Sequence, residues 1–460
     1  MSDELSGDEA TVKETGAPAD ADRPEDRSIP WSWAPWVGLA MLVGRLIAVA
    51  GLRAYQYVDS AEYAKIDFSG RWRRPWATPV LYWFLGHNPR HELWGQAVVG
   101  AVCWSVLVLA AAPWFRRHLV RVTVVVAIMA LGLTTSVTNW DAAVLSESLA
   151  ISLTALLMAA WLTLVRLRTP GAAAFVLLAT VPWLFVRQSL LPTAWMVVAA
   201  AVVGALVVKR PEARRILAAT AAGLVLLTAV ATVSYNRNQE VVHTNVAVII
   251  ANRIAPVPAR LRWFRAHGMP VPTTGGYDAV EMEKDARFTP WLDEKGRSTY
   301  TTFLLTHPWY ALTAPLPDLV GVRQSYADPV VRHDTMLSPG DAYGATRPVI
   351  PEIVEQTLFD PGATGAILTA LFLAVGWSIG RRRWAWRGWA LPLTVIGIAV
   401  ASLIAGWHGA TPELPRLAIV AALALRIALI LQFAFLVEAE LDHRGSVGPP
   451  PTQPGASSTP

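Results

Sequence analysis

Long apolar runs recur along most of this chain, and each is about as long as a helix that crosses a lipid bilayer. Ten such runs lie near residues 33–53, 93–114, 122–138, 145–166, 171–187, 189–208, 216–234, 362–380, 389–407 and 416–437. The third and fifth runs are short, and the fifth and sixth are nearly continuous, so nine or eleven spans also fit. The pattern predicts an all-α polytopic membrane protein with about ten transmembrane helices.

The polar stretches between these runs divide the chain into parts. We expect a disordered acidic tail at 1–30, where nine acidic residues face three basic ones, and a second disordered tail at 438–460. Between them we expect a transmembrane module of seven spans at 31–234, a long outer segment at 235–361 and three further spans at 362–437. The first module includes an outer loop at 54–92 with amphipathic helices. The long outer segment is predicted to be mostly helical, with helices at 257–267, 278–285 and 298–312.

Composition and charge agree with a membrane protein. Of the 460 residues 53% are hydrophobic, and the mean hydropathy is +0.38. The net charge of +5 comes almost entirely from arginine beside apolar runs, which indicates topology and contact with membrane lipid; we expect no nucleic-acid partner. The single cysteine, Cys103, lies in an apolar run, so the chain offers neither a disulfide framework nor a cysteine-based metal site.

Basic connections set the predicted orientation. Four short basic stretches lie at 115–121, 166–168, 209–215 and 381–387. With ten spans all four fall on the side of the two termini, which the positive-inside rule makes cytoplasmic. The loop at 54–92 and the segment at 235–361 are then expected on the extracytoplasmic face of the plasma membrane.

The first outer loop carries the leading candidates for chemistry. Asp59 and Glu62 are three residues apart and would share one face of a helix. The same spacing is close to a capping box, so a structural role fits the pair as well. Arg71 and Arg74 stand among tryptophans and could meet lipid phosphates or belong to a solvated basic loop.

Other charged residues fall at or within predicted spans, where charge is costly and often functional. They are Arg45 in span one, Asp141 and Glu147 at the start of span four, Arg187 between spans five and six, and Arg416 and Arg426 in span ten. Each has a structural alternative: the arginines could extend to headgroups or pair within the bundle, and Asp141 could cap a helix. Together, both signs of charge on one face suit recognition of a phosphorylated lipid.

This arrangement resembles the GT-C superfamily of polytopic membrane glycosyltransferases. The resemblance rests on the acidic pair Asp59 and Glu62, on Asp141 with Ser-Glu-Ser-Leu at 146–149, and on Arg187. The segments 252–256, 263–270 and 307–310 are similar to those of actinobacterial members, and the likeness covers most of 33–437. One departure is that relatives often carry a further acid before the last span, whereas 409–416 keeps only Glu413 and Arg416. The departure puts any acceptor or metal role of this loop in doubt.

The resemblance implies a sugar donor linked to polyprenyl phosphate, transfer on the outer face and inversion at the anomeric carbon. Asp59 would be the general base on the acceptor hydroxyl, and Arg187 and Arg416 would bind the donor phosphate. Glu62 and Asp141 would orient the acceptor or Asp59, or hold a divalent cation such as Mg or Mn. The acceptor would be a glycan, lipid or protein of the cell envelope, in cell-wall biogenesis. Accessory positions are Glu147, Arg45, Arg71, Arg74 and Glu413.

Two other functions fit the same residues. A transporter or flippase of a lipid-linked sugar would line its path with such charges, although it predicts repeats and midplane charge that the sequence does not display. A non-catalytic membrane subunit of an envelope-synthesis complex would keep the fold without the reaction.

Overall fold

The computed structural model describes residues 33–56, 58–72, 74–237, 239–273, 275–317, 348–359, 386–409 and 414–446. These residues form helices joined by short connections. Within them there is no named strand, and one isolated parallel bridge joins Tyr55 to Ala143. The predicted all-α class is therefore confirmed for the described part of the chain. The predicted tail at 1–30 lies outside it. The second predicted tail, 438–460, is wrong over 438–446, because the last helix continues to Ser446 and Glu438 bonds to the backbone of Arg116 and Arg117.

The α-helices of this part are numbered in chain order. They are α1 (Ala34–Val49), α2 (Ala77–Phe84), α3 (Pro89–Ala111), α4 (His118–Gly132), α5 (Thr135–Thr138), α6 (Glu147–Leu167), α7 (Pro170–Leu184), α8 (Leu191–Val207), α9 (Pro211–Asn236), α10 (Gln239–Ile249), α11 (Pro258–Ala266), α12 (Ala279–Lys284), α13 (Phe288–Trp291), α14 (Arg297–Thr306), α15 (Pro308–Thr313), α16 (Glu352–Phe359), α17 (Trp386–Gly409) and α18 (Leu414–Ser446).

Six of the described helices are long and apolar enough to cross a membrane. They contain α3, α6, α8, α9 and the apolar parts of α17 and α18. The helices α4 and α5 make a seventh span if the pair, bent by 50°, counts as one. The apolar helices α1 and α7 are shorter, at 16 and 15 residues. The predicted span at 362–380 lies outside the described residues, so these helices support a membrane protein without establishing ten spans.

The bundle is organised around α6. In the most apolar stretch of α6, 78% of the residues are buried, against 28% in α8 and α9 and 17% in α17. Small residues of α6, such as Ala150, Ser152 and Ala159, are fully buried and let neighbouring helices approach closely. The most apolar stretches of α18 and α3 are 67% and 56% buried, so α6, α18 and α3 form the interior and α8, α9 and α17 form the rim.

The bundle has two unlike ends. At one end, here called the basic face, the backbone N–H groups of Arg116 and Arg117 donate to Glu438 of α18. At the opposite end, here called the loop face, α1 and α9 end and the residues between α1 and α3 lie. Arg237, just after α9, donates to the Ser69 carbonyl there at 3.2 Å. The connections at 115–121, 166–168 and 209–215 lie at the basic face.

Residues 239–313 form a small helical domain at the loop face, here called the loop-face domain. Its own core includes Ile250, Phe264, Met282 and Phe288, which are fully buried. Helices α11, α12 and α14 to α15 lie close to ranges expected from the sequence, whereas α10 and the π-helical turn after it were not expected.

The break between α4 and α5 has partners for its exposed backbone groups. Arg45 donates to the Gly132 carbonyl at 3.1 Å, where α4 ends. At the start of α5, Glu355 of α16 accepts from the N–H groups of Thr135 and Ser136 at 3.2 and 2.8 Å, and from both hydroxyls. Backbone groups without partners are costly inside a membrane. These contacts therefore allow the helix to break within the bundle.

We expect Glu355→Ala to lower the stability of the purified protein by about 1 to 2 kcal/mol, because α5 loses an N-terminal cap. The measurement is the thermal unfolding midpoint in detergent. Glu352→Ala is the matched control, since Glu352 is an exposed residue of the same helix that accepts from Gln356. Equal midpoints for the two variants would contradict the capping role.

Candidate functional site

Two distant stretches meet at the loop face to form the site. One is the connector, residues 139–146 between α5 and α6, and the other surrounds the 3-10 turn Val58–Ala64. The Tyr55 N–H donates to the Ala142 carbonyl at 2.7 Å, and the Val144 N–H donates to the Tyr55 carbonyl at 2.9 Å. The Ser60 hydroxyl adds a bond of 2.7 Å to the Val144 carbonyl. The turn is therefore fixed to the connector through backbone groups.

The turn presents both predicted carboxylates to one cation. In a 3-10 helix, side chains three residues apart lie above one another. Arg74 Nη2 lies 2.9 Å from Asp59 Oδ2, and its Nε lies 2.6 Å from Glu62 Oε2. The three side chains are 24%, 28% and 21% exposed, in the order Arg74, Asp59 and Glu62, so solvent reaches all of them.

The surroundings of Arg74 keep its guanidinium charged. Its Cζ lies 5.3 Å from the centre of the Tyr63 ring. Burial by itself lowers the pKa of Arg74, but the negative charges of Asp59 and Glu62 and the hydrogen bond to Glu62 act against burial, and the pKa lies above its usual value. The site thus holds a permanent positive charge between two acids.

Asp67 supports the same loop without joining the pair. It accepts from the backbone N–H groups of Ser69, Arg71 and Trp72. Hydrogen bonds from the Ser69 hydroxyl and these N–H groups lower the pKa of Asp67 despite some burial. The side chain of Arg71 is exposed, and its backbone N–H donates to Asp67, so its backbone is the part that shapes the loop.

A chain of polar contacts leads from Arg74 inward to Arg187. The Tyr63 hydroxyl donates to Ser146 Oγ at 3.2 Å, and Ser146 Oγ donates to Glu147 Oε2 at 3.5 Å. Glu147 Oε1 lies 3.3 Å from Arg187 Nη2. Glu147 is fully buried and Arg187 is 7% exposed. The open acids and the predicted phosphate-binding arginine therefore belong to one connected network.

The turn after α7 brings Arg187 to the network. The Phe185 carbonyl accepts from the Ala77 N–H at 3.1 Å, at the start of α2. The Phe185 ring stacks on Trp76, with centroids 5.3 Å apart. The first loop and the turn that carries Arg187 are thus packed together.

Asp141 lies beneath the connector and is fully buried. Its two carboxylate oxygens accept from Arg45 at 2.7 to 3.2 Å, and Ser148 donates to it at 2.5 Å. Arg45 is 1% exposed. Gly100 of α3 makes room for the guanidinium, because a Cβ there would lie 2.5 Å from Arg45 Cζ. The pair ties α1 to the connector, at a distance from solvent.

An apolar cavity of about 310 Å³ lies between α6, α8, α17 and α18. Its walls are mostly aliphatic and include Leu157, Ala201 and Ala424. Ser189 and Leu190 line it, two and three residues after Arg187. The cavity therefore starts next to the inner end of the polar network and extends among the spans.

The remaining predicted residues lie elsewhere. Glu413 is outside the described residues, and at Arg416 the structure describes the helix but not the side chain. Arg426 donates to the Leu358 carbonyl of α16 at 2.7 Å, which is a structural contact. Among the described residues no group of three His, Cys, Asp or Glu side chains could hold a metal ion. Both oxygens of the Asp141 carboxylate already accept from Arg45, and one also accepts from Ser148. Asp141 is therefore not available to hold a divalent cation together with Glu62.

Sequence reasoning assigned no role to several polar residues that build the site. Tyr82 donates to the Leu145 carbonyl at 2.7 Å, and the Gln96 amide donates to the Asp141 and Ala143 carbonyls at 3.1 and 3.0 Å. Burial raises the pKa of Tyr82 well above its usual value, so its hydroxyl stays a donor. Tyr63 and Ser146 link the two charged pairs. Their positions offered a signal in the sequence, because Tyr63 follows Glu62 and Ser146 precedes Glu147.

Searches against known protein families, curated proteins and solved structures found no match for this chain. The described part of the chain is an all-helical membrane protein with a charged network at one end of its bundle.

We expect Asp141→Ala to destabilise the protein by about 3 to 5 kcal/mol, because it leaves the buried Arg45 cation unpaired. The double variant Arg45→Met, Asp141→Leu should recover much of that loss. Asp442→Ala is the control, since Asp442 pairs with Arg117 where both are exposed, and such pairs contribute about 0 to 1 kcal/mol. Thermal unfolding in detergent measures all three. A double variant no more stable than the single one would contradict this account.

Proposed function

We propose that this chain is a membrane glycosyltransferase of the GT-C type. It transfers a sugar from a polyprenyl-phosphate donor to a cell-envelope acceptor, with inversion, on the extracytoplasmic side, which is the loop face. The carrying observation is the continuous network from Asp59 to Arg187 beside an apolar cavity. A lipid-linked sugar phosphate has matching parts, namely an apolar chain, an anionic phosphate and a polar sugar.

The cavity supports a lipid donor. Its volume of about 310 Å³ lies at the lower end of the usual range for small-molecule pockets, and its walls are apolar. It would receive a segment of the prenyl chain, while Arg187 near its end would hold the phosphate. The rest of the chain would lie between the rim helices and bulk lipid.

In the proposed reaction the acceptor hydroxyl oxygen attacks the anomeric carbon of the donor sugar. The bond from that carbon to the phosphate oxygen breaks, and polyprenyl phosphate leaves with both bonding electrons. The hydroxyl proton passes to Asp59 as general base. Arg187 stabilises the charge that develops on the phosphate, so an acidic group to protonate the leaving group is not required.

Arg74 suits this proposal because it serves two acids at once. Its contact with Glu62 persists when Asp59 takes up the proton, so the guanidinium keeps a carboxylate partner throughout. Glu62 therefore acts as a positioning residue for Arg74 and, through it, for Asp59.

A transporter or flippase of a lipid-linked sugar is the second candidate. The observation in its favour is the break between α4 and α5 beside the buried pair of Arg45 and Asp141, since broken helices with internal charge are common in transporters. An assay of donor movement and sugar transfer in vesicles that contain the purified protein distinguishes the transporter from the glycosyltransferase. Movement of the donor across the bilayer without sugar transfer would favour the transporter.

We expect Asp59→Asn to abolish sugar transfer, because the amide cannot accept the hydroxyl proton. Transfer from a radiolabelled polyprenyl-phosphate sugar to envelope lipid and glycan fractions is the measurement. Asp67→Asn is the matched control, because Asp67 lies in the same loop and asparagine keeps one of the two oxygens that accept from backbone N–H groups there. Retained transfer in Asp59→Asn would sink the assignment, provided that both variants purify like the natural chain.

We expect Ala201→Phe to raise the KM for long-chain donors, because the new ring fills the cavity. Val203→Phe is the control on the same helix, since Val203 is 57% exposed on the lipid-facing side. Donors with a short prenyl chain should be used equally well by both variants. If the two variants have the same KM for the long-chain donor, the cavity is not part of the donor site.

A further inference from the structure

An exposed apolar surface on the loop-face domain is not used by the proposed reaction. It consists of Leu305 at the end of α14, Trp309 and Leu312 of α15, and Leu316 just beyond. These side chains are 76%, 76%, 55% and 53% exposed, respectively. We call this set the apolar strip. Trp309 and Leu312 are three residues apart in α15 and so share one face of that helix, and Leu316 follows a two-residue turn.

The opposite side of α15 is packed against the end of a span. Tyr310 contacts Trp407 of α17, with ring centroids 6.3 Å apart. His408 Nε2 lies 2.8 Å from the Ala311 carbonyl, and its Nδ1 lies 2.8 Å from the Tyr300 hydroxyl. The helix α15 therefore holds a fixed position relative to α17.

That position is level with the edge of the bilayer. The apolar stretch of α17 that can cross a membrane is Ala390–Gly409, so Trp407 and His408 stand in its last turn. A side chain at this height meets the headgroup region, which lies outside a hydrocarbon core about 30 Å thick. Tryptophan is enriched at this depth, because its ring is apolar and its N–H is polar.

The charge of α14 and α15 also suits a lipid surface. Residues 297–316 contain Arg297 and no aspartate or glutamate. Arg260 of α11 lies beside α15, with its Cζ 4.4 Å from the centre of the Tyr310 ring. The strip, with aliphatic side chains and one indole and no acidic residue between positions 305 and 316, has a composition typical of helices that lie in the membrane interface.

We propose that α14 and α15 anchor the loop-face domain in the adjacent lipid leaflet, with the apolar strip inserted among headgroups and upper acyl chains. Because α15 packs on Trp407 and His408, the strip lies beside the end of a helix that is long and apolar enough to cross the membrane. The bilayer is therefore its partner. This anchor does not depend on the proposed sugar transfer.

Site-specific fluorescence in proteoliposomes tests the anchor. Cys103 is the single cysteine and is buried, so Cys103→Ser provides a background for single-cysteine variants at Leu305, Trp309 and Leu312. Each receives a bimane label. The control is the same change at Val280, which is 55% exposed in the same domain but flanked by charged residues of α12.

We expect lipids with a nitroxide near the top of the acyl chain to quench the three strip positions several-fold more than position 280. Aqueous iodide should give the opposite order. Equal lipid quenching at all four positions, or strong iodide quenching in the strip, would overturn the anchor. Strip labels protected from both quenchers would also overturn it, because protein or glycan would then cover the strip. Three independent positions keep the test decisive if one variant fails to fold.

Discussion

The buried ion pair between Arg45 and Asp141 is the contact on which the loop face depends. Removing two charges from water is expensive, and the cost is offset only when geometry and further hydrogen bonds are good. Here the guanidinium makes contacts of 2.7 to 3.2 Å with both carboxylate oxygens. It also reaches the Gly132 carbonyl, and Ser148 adds a donor to Asp141. One interaction thus holds α1, the end of α4, the connector and the start of α6 together.

The position of the site follows from that interaction. With Asp141 fixed from below, the connector keeps its carbonyls in place for Ser60, Tyr82 and Gln96. These bonds set the register of the 3-10 turn, which in turn sets where Asp59 and Glu62 stand. Asp141 and Glu147 are consequently buried, whereas Asp59 and Glu62 are accessible to solvent.

Local spacing predicted what depends on local structure. The three-residue separation of Asp59 and Glu62 indicated a shared face, and apolar run length located most spans. Spacing could not predict which acids pair with Arg74 and Arg187. Those pairs depend on how the first loop packs on the turn after α7. The run at 122–138 looked continuous by hydropathy, yet it breaks at Leu133 and Thr134. Three hydroxyl residues, Thr134 to Ser136, favour a helix start there, but their cap comes from distant Glu355.

The connected network also constrains how a donor would be received in the proposed reaction. A phosphate drawn to Arg187 competes with Glu147 for the same cation. Glu147 is fully buried, so leaving its charge without compensation would be costly. The Ser146 hydroxyl already donates toward that carboxylate and accepts from Tyr63, whose ring lies against Arg74. The Tyr63 and Ser146 hydroxyls and the Tyr63 ring therefore lie between Glu147 and the cation that holds Asp59. Donor binding and the position of the base would then be coupled without movement of a helix.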